Sequence, residues 1–364
     1  MNMTSNLTKE DILEVLNATD SEIIKFMSET VKYRENHLIT YSKNVFIPLT
    51  EICRNDCGYC NFKKNPDDPE AIILKSKEEV LEALKEAEQY GCKEALFTFG
   101  EDADEEEAVQ SRLAEFGYDT MVDYVVDICQ MTLDETSLIP HTNGGNYSYE
   151  DLKKLKEVNG SMGLMLENSS KRLMELPAHN KSPGKNPEIR LETIENAGKL
   201  KIPYTTGILI GIGETKEEVA DSLLAIRDLY DKYGHIQEVI IQNFTPIPGI
   251  EMENWPEPSF LDMIRTVIAG TLLFGDTDVS IQVPPNLNNE TAQIFLLCGA
   301  DDWGGVSPVS PDFVNITSPW PGIDELEKLT VDAGFELTER LCVYEKYVNR
   351  EWLNDRLINQ ISRF

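Results

Sequence analysis

From Val45 onward the chain repeats one unit: a short apolar run, then an amphipathic stretch of helical period. This rhythm constrains the fold more than any other feature, because strands alternating with helices bury a parallel sheet beneath a helical layer. Runs that read as strands fall at Val45–Leu49, Ala95–Phe99, Leu138–His141, Ser161–Leu166, Thr205–Ile210, Glu238–Gln242 and Val279–Val283, with a weaker eighth at Ile294–Cys298. Helical stretches between them include Ser76–Tyr90, Glu105–Gln130, Tyr149–Val158, Lys216–Tyr233 and Ser259–Phe274. Such units predict an α/β chain built as one (β/α)8 TIM-type barrel, with a doubly wound sheet as the alternative. Two helices, Lys9–Ala18 and Asp20–Glu35, come first, so residues 1–40 read as an N-terminal helical extension and 41–321 as the barrel. Residues 322–364 read as a C-terminal segment packed on the outside: a helix and an apolar stretch, Phe335–Tyr347.

The chain has 364 residues, of which 41% are hydrophobic, enough for a large core. No run approaches the roughly 20 apolar residues of a membrane-spanning helix. The opening MNMTSNLTKEDILEVL lacks the basic-then-apolar pattern of a secretory signal, so a cytoplasmic location is expected. With 64 acidic and 33 basic residues the net charge is −31, which repels phosphate backbones and argues against nucleic-acid binding. Seven cysteines without a signal peptide favour metal or catalytic use over a disulfide framework. Cys92, Cys129, Cys298 and Cys342 lie far apart and read as small buried hydrophobes.

Cys53, Cys57 and Cys60 are different. They follow the first strand as CRNDCGYC, a C-x3-C-x2-C spacing. Thiolates are soft ligands that favour iron–sulfur clusters, zinc or copper(I). A structural zinc takes four ligands, and neither a fourth Cys nor a His follows closely. Three thiolates in one loop leave one iron of a cubane open, as a catalytic metal site requires.

This motif resembles the radical S-adenosylmethionine (SAM) superfamily. The resemblance implies a 4Fe-4S cluster on the three cysteines, with the open iron chelating SAM. One electron then releases a 5′-deoxyadenosyl radical. Tyr59 matches the aromatic position near the adenine; alone it reads as loop packing. Gly100 and Glu101, after the second strand, are similar to the family's glycine-glycine-glutamate element, with Phe99 in place of the first glycine. Glu167, in LMLEN, and Arg190, in EIRLETIENAG, are implied to position SAM, with a surface ion pair as the bland alternative. GILIGIGE, from Gly207 to Glu214, matches the family's G-x-I-x-G-x-x-E element with Leu209 at the isoleucine, so that Gly211 and Ile212 would flank adenine. It lacks the Lys of a phosphate-binding loop.

In a parallel barrel, functional residues gather at the carboxyl ends of the strands. QNFTPIPG, QVPPNLN and the long stretch Cys298–Pro321 follow late strands and carry polar, proline-stiffened segments suited to a hydroxyl-rich ligand. Asn243, Gln282, Asn286 and Trp303 are the expected substrate contacts. Asp301 and Asp302 are the expected catalytic acid–base groups, and His141 and His179 are alternative proton carriers. With CRNDCGYC, TTGILIGIGET, QVPPNLN and GADDWGGVSPV, residues 41–320 look like the CofG-type subunit of 7,8-didemethyl-8-hydroxy-5-deazariboflavin (FO) synthase. That resemblance implies a radical SAM lyase that closes the deazaflavin ring of a hydroxybenzyl-ribityliminouracil adduct and releases ammonia. It further implies a CofH-type sister subunit and an electron donor of the ferredoxin or flavodoxin type. The rival readings are the CofH-type half-reaction, a relative in menaquinone synthesis or hydrogenase maturation, and a non-enzymatic iron–sulfur electron carrier.

Overall fold

The computed structural model describes residues 7–33 and 37–364. The start of the signal-peptide reading, residues 1–6, and the expected end of the second helix, residues 34–35, lie outside the described residues. Nine strands are present among the described residues: β1 Leu38–Pro48, β2 Glu94–Thr98, β3 Ile139–Asn143, β4 Ser161–Gly163, β5 Tyr204–Ile210, β6 Ile236–Asn243, β7 Ser280–Gln282, β8 Asp302–Val306 and β9 Glu336–Arg340. β1 to β8 pair in parallel in sequence order, and β1 pairs with both β2 and β8, so the sheet closes into a barrel. The α/β (β/α)8 expectation holds, and the doubly wound alternative falls.

The helices are α1 Lys9–Leu16, α2 Asp20–Thr30, α3 Lys77–Gln89, α4 Glu107–Phe116, α5 Met121–Glu135, α6 Tyr149–Lys156, α7 Pro187–Lys199, α8 Lys216–Tyr233, α9 Phe260–Phe274, α10 Ala292–Leu297, α11 Ile323–Asp332 and α12 Asp355–Ile361. Their starts are written locally. Thr8, Ser76 and Thr215 each close a capping box with the acidic residue three positions on, and such a cap is worth about 1 kcal/mol. The single helix expected over Glu105–Gln130 is two, α4 and α5, because α4 ends at Gly117 in the left-handed conformation (φ 87°). α1 and α2 pack on α9.

Two expectations fail in a way that matters for the site. Ile294–Cys298 lies mostly in the short helix α10, and the eighth strand is the DWGGV segment itself. The C-terminal segment does not stay outside. β9 pairs with the first half of β1, Leu38–Ser42, directly below β2. The following residues cross the underside, where Cys342 O accepts bonds from Ser161 Oγ and Gln237 Nε2, both at 2.7 Å.

Strand residues alternate between the two faces. Outward residues such as Val45, Ile47, Ala95 and Phe97 pack under the helices in the main core. The inward set is mixed: Ser42, Asn44, Glu94, Thr98, His141, Asn143, Thr205, Glu238 and Gln242 line one interior space together with Phe46, Leu96, Leu164, Met165 and Ile240. Branched aliphatic residues usually fill a TIM barrel in layers. This barrel instead keeps a cavity with charged and amide groups set among apolar ones.

Candidate active site

The cysteine loop begins where β1 ends. It is tied to its surroundings by backbone bonds: Gly100 N donates to Thr50 O, Arg54 N to Glu101 O, Gly58 N to Pro177 O, and Met252 N to Gly58 O, at 2.9–3.2 Å. A Cβ on Gly100 would sit 1.8 Å from Ile52 O. Gly100 therefore exists to let the cysteine loop lie against the end of β2. Cys53, Cys57 and Cys60 all line a cavity of about 250 Å3 at the mouth of the barrel, together with Tyr59, Glu101, Glu167, Lys185 and Arg190.

The charged groups of this cavity form two buried ion pairs. Arg190 Nη1 lies 3.1 Å from Glu101 Oε2, and Arg190 also donates through Nε to Met165 O at 2.7 Å. Glu101 accepts a further bond from Asn146 Nδ2 at 2.7 Å. Lys185 Nζ lies 2.7 Å from Glu167 Oε1. Glu167 has φ 62°, a left-handed backbone that a residue with a Cβ holds only at a cost of about 1–3 kcal/mol. Bonds from Glu167 N to Gly207 O and from Leu209 N to Glu167 O clamp it there. Burial pushes the Glu167 carboxyl up, but Lys185 and Arg190 more than offset this, holding it below its ordinary range.

Tyr59 Oη sits 3.1 Å from His179 Nε2. Burial pushes the pKa of His179, and likewise of His141, down to about 3. Both imidazoles are therefore neutral near pH 7. His141 Nδ1 is 2.7 Å from Ser161 Oγ inside the barrel.

A second cavity of about 200 Å3 continues into the barrel, and the two share Thr98, Asn143, Met165, Gln242 and Asn315 in their walls. Asn243 lines the upper cavity and accepts from Asn288 Nδ2 at 2.8 Å; Gln282 and Asn286 line the lower one.

Gly211 and Ile212 do not reach either cavity wall. Their amides donate to the Glu214 carboxylate at 2.7 and 2.8 Å, and Ile212 is fully buried in an apolar cluster against which Tyr59 packs.

Three further expected site residues lie elsewhere. Asp301 and Asp302 stand at the amino end of β8, on the side of the barrel opposite the cysteines. Asp301 Oδ1 accepts from Ile281 N at 2.8 Å. Asp302 is fully buried and ion-paired with Arg340, whose Nη2 also reaches Glu238 Oε1 at 2.8 Å. Trp303, the next residue, points to the other face of the sheet. It packs between Ile39, Tyr41 and Leu326, and its Nε1 donates to Thr330 Oγ1 at 2.9 Å. It cannot stack on a ligand in the barrel. The sequence reading displaced these residues because it took the apolar α10 for the strand.

That reading also missed groups the structure brings in. Lys185 and Asn146 carry no local motif, and only the fold gathers them. Asp312, Asn315 and Trp320 belong to the stretch Cys298–Pro321, where nothing local marks them from their neighbours.

Residues 47–226 match the Radical SAM superfamily. The 7,8-didemethyl-8-hydroxy-5-deazariboflavin synthase of Methanobrevibacter smithii is 81% identical over 336 residues, covering 92% of this chain and 99% of the relative. The synthase of the same name from Methanocaldococcus jannaschii is 52% identical over 356 residues, 98% of each chain. This chain belongs to the radical SAM superfamily and, within it, to the CofG-type FO synthase family. Among solved structures, methylornithine synthase (PylB) superposes with a TM-score of 0.72 at 18% identity, covering 92% of this chain and 95% of that one. The likeness concerns the fold.

A radical SAM enzyme carries a 4Fe-4S cluster and SAM, and the residues present fit both. The three thiols share one cavity, as free cysteines of intermediate exposure. Among the described residues no three His, Cys, Asp or Glu side chains converge on a single ion. Cubane ligands need not do so, since each thiolate binds a different iron. Burial pushes the Cys53 thiol up to about 12, so a thiolate there depends on a bound cation. For the methionyl group of SAM, Glu101 and Glu167 suit an ammonium, and Arg190 and Lys185 suit a carboxylate.

Proposed function

We propose that this chain is an FO synthase component of deazaflavin coenzyme biosynthesis. Specifically, it acts as a radical SAM lyase that closes the central ring of the hydroxybenzyl-ribityliminouracil adduct with loss of ammonia. The observation that carries this reading is the continuity of the cysteine-lined cavity with a barrel interior whose wall sets hydrogen-bonding groups among apolar ones. A small hydroxyl-rich substrate fits such an interior, and an electron carrier has no use for one. The names borne by relatives 52% and 81% identical support it.

When bound, the reduced cluster and SAM supply a 5′-deoxyadenosyl radical that takes a hydrogen atom from the substrate. The protein's own part is positional. Cys53, Cys57 and Cys60 hold the cluster. Glu101, Glu167, Lys185 and Arg190 would fix the amino-acid end of SAM, and Tyr59, backed by His179, lines the same cavity. Gln242 and Asn315 line the passage between the two cavities, and Asn243 the upper one. Asp301 and Asp302 have no part in proton transfer at the mouth.

A CofH-type sister subunit would make the adduct. A ferredoxin or flavodoxin would supply the electron. The test is anaerobic reconstitution followed by reduction and addition of SAM and adduct. Fluorescent FO and 5′-deoxyadenosine are expected from the wild type and neither from Cys57→Ala. Turnover of tyrosine and ribitylaminouracil instead of the adduct would show the CofH-type half-reaction. An intact reduced cluster with no SAM cleavage would leave an electron carrier.

A further inference from the structure

The floor of the barrel is a buried cluster of hydrogen-bonding groups that the chemistry at the mouth does not use. Glu94 and Glu238 face inward, and Arg340, from the C-terminal segment, rises between them to pair with Glu238. All three line the lower cavity with Asn44, Asn286 and Trp320. Its polar wall is not self-satisfied. Asn44 Oδ1, Asn286 Oδ1 and Trp320 Nε1 are buried atoms without a hydrogen-bond partner, although Asn44 and Asn286 are only 2% and 4% exposed. An unpaired buried polar group costs about 1–3 kcal/mol, so three around one cavity point to a ligand that completes them.

The groups are sorted by depth. Asn44 is the register partner of Glu94 at the floor. Thr98, in the mouth cavity, is four residues further along β2, about 13 Å at the usual strand rise. Carboxyl and amide groups around one guanidinium both donate to and accept from hydroxyls. Burial, partly offset by Arg340, holds the Glu238 carboxyl up near 8. Higher up, the orphaned pair of one acceptor and one donor, Asn286 Oδ1 and Trp320 Nε1, complements the N–H and C=O edge of a pyrimidinedione.

We infer that the substrate binds with its polyhydroxyl arm pointing down the barrel onto Asn44, Glu94, Glu238 and Arg340, and its uracil edge against Asn286 and Trp320. The reacting carbon is thereby left at the cysteine-lined mouth. This rests on the proposed ring-closing function and adds to it the orientation of the substrate and the residues that select a polyol.

The test pairs a substrate truncation with a mild variant. The adduct and an analogue with methyl in place of ribityl are given to the reduced holoenzyme, and kcat/KM is measured for 5′-deoxyadenosine and ring-closed product. In the wild type the methyl analogue should lose roughly 100-fold, the loss of a few hydrogen bonds. Asn44→Leu removes an acceptor that has no partner in the protein. It should lose roughly 10-fold with the ribityl adduct and under about 2-fold with the methyl analogue. Equal losses on both substrates, or a wild type indifferent to truncation, overturn the orientation while the ring-closing function stands. No product from the wild type with the full adduct overturns both.

Discussion

At the scale of single residues, the chemistry is set by which charges share a small buried volume. Glu238 illustrates this. Burial lifts its pKa from 4.5 to about 8, with Asp302 adding to the shift and Arg340 opposing it. An acid whose pKa is raised on folding stabilises the fold fully below its unfolded pKa and loses that contribution as pH rises through the folded one. The native protein should therefore lose stability relative to Glu238→Gln as pH rises from about 4.5 to about 8, and level off above that. Urea unfolding of the anaerobic holoprotein across that range measures it, and a pH-independent difference would contradict it. Trp303 makes the complementary point. Trp303→Phe loses one buried hydrogen bond to Thr330 and should lower stability by about 1 kcal/mol while leaving SAM cleavage at the wild-type rate. A catalytic or stacking role would instead show as lost turnover with stability intact.

At the scale of elements, the decisive contact is between the cysteine loop and the end of β2. The two approach so closely that a Cβ at Gly100 overlaps Ile52 O. Gly100→Ala should push the loop away from β2 and lower the iron and sulfide retained after reconstitution, even where the circular dichroism of the barrel is unchanged. Full iron content in that variant would show the loop to be free to adjust. How legible an element was depended on how local its signals were. α8, Lys216–Tyr233, was bounded correctly, because a capping box opens it and Gly234 (φ 64°) closes it. β8 was misplaced, because Ile294–Cys298 is the more apolar run and helix or strand cannot be told from periodicity over so few residues. That one error moved Asp301, Asp302 and Trp303 from below the barrel to its mouth.

At the scale of the whole molecule, 64 acidic side chains face 33 basic ones, so even full one-to-one pairing leaves the net charge of −31 uncompensated. Mutual repulsion of excess carboxylates destabilises the compact state and is screened by salt. The unfolding midpoint should rise as sodium chloride is raised from about 10 mM to about 150 mM. A fall would mean that the attractive surface pairs dominate. Among the described residues no helix is long and apolar enough to cross a membrane.

The sequence by itself determined the barrel and the cluster site. Strand–helix alternation is a periodic signal, and three cysteines within eight positions need only one loop to bring them together. It also pointed to Glu101 and Glu167, which follow strand ends, and to Arg190, at the start of a helix, through their likeness to the family's motifs. Only the tertiary structure decided what those charges pair with and which side chains line the interior. Arg340 meets Asp302 across 38 residues and Glu238 across 102. No spacing rule reaches that far, because contacts between distant strands depend on barrel closure and register. The same closure turned polar residues of several strands inward around one cavity.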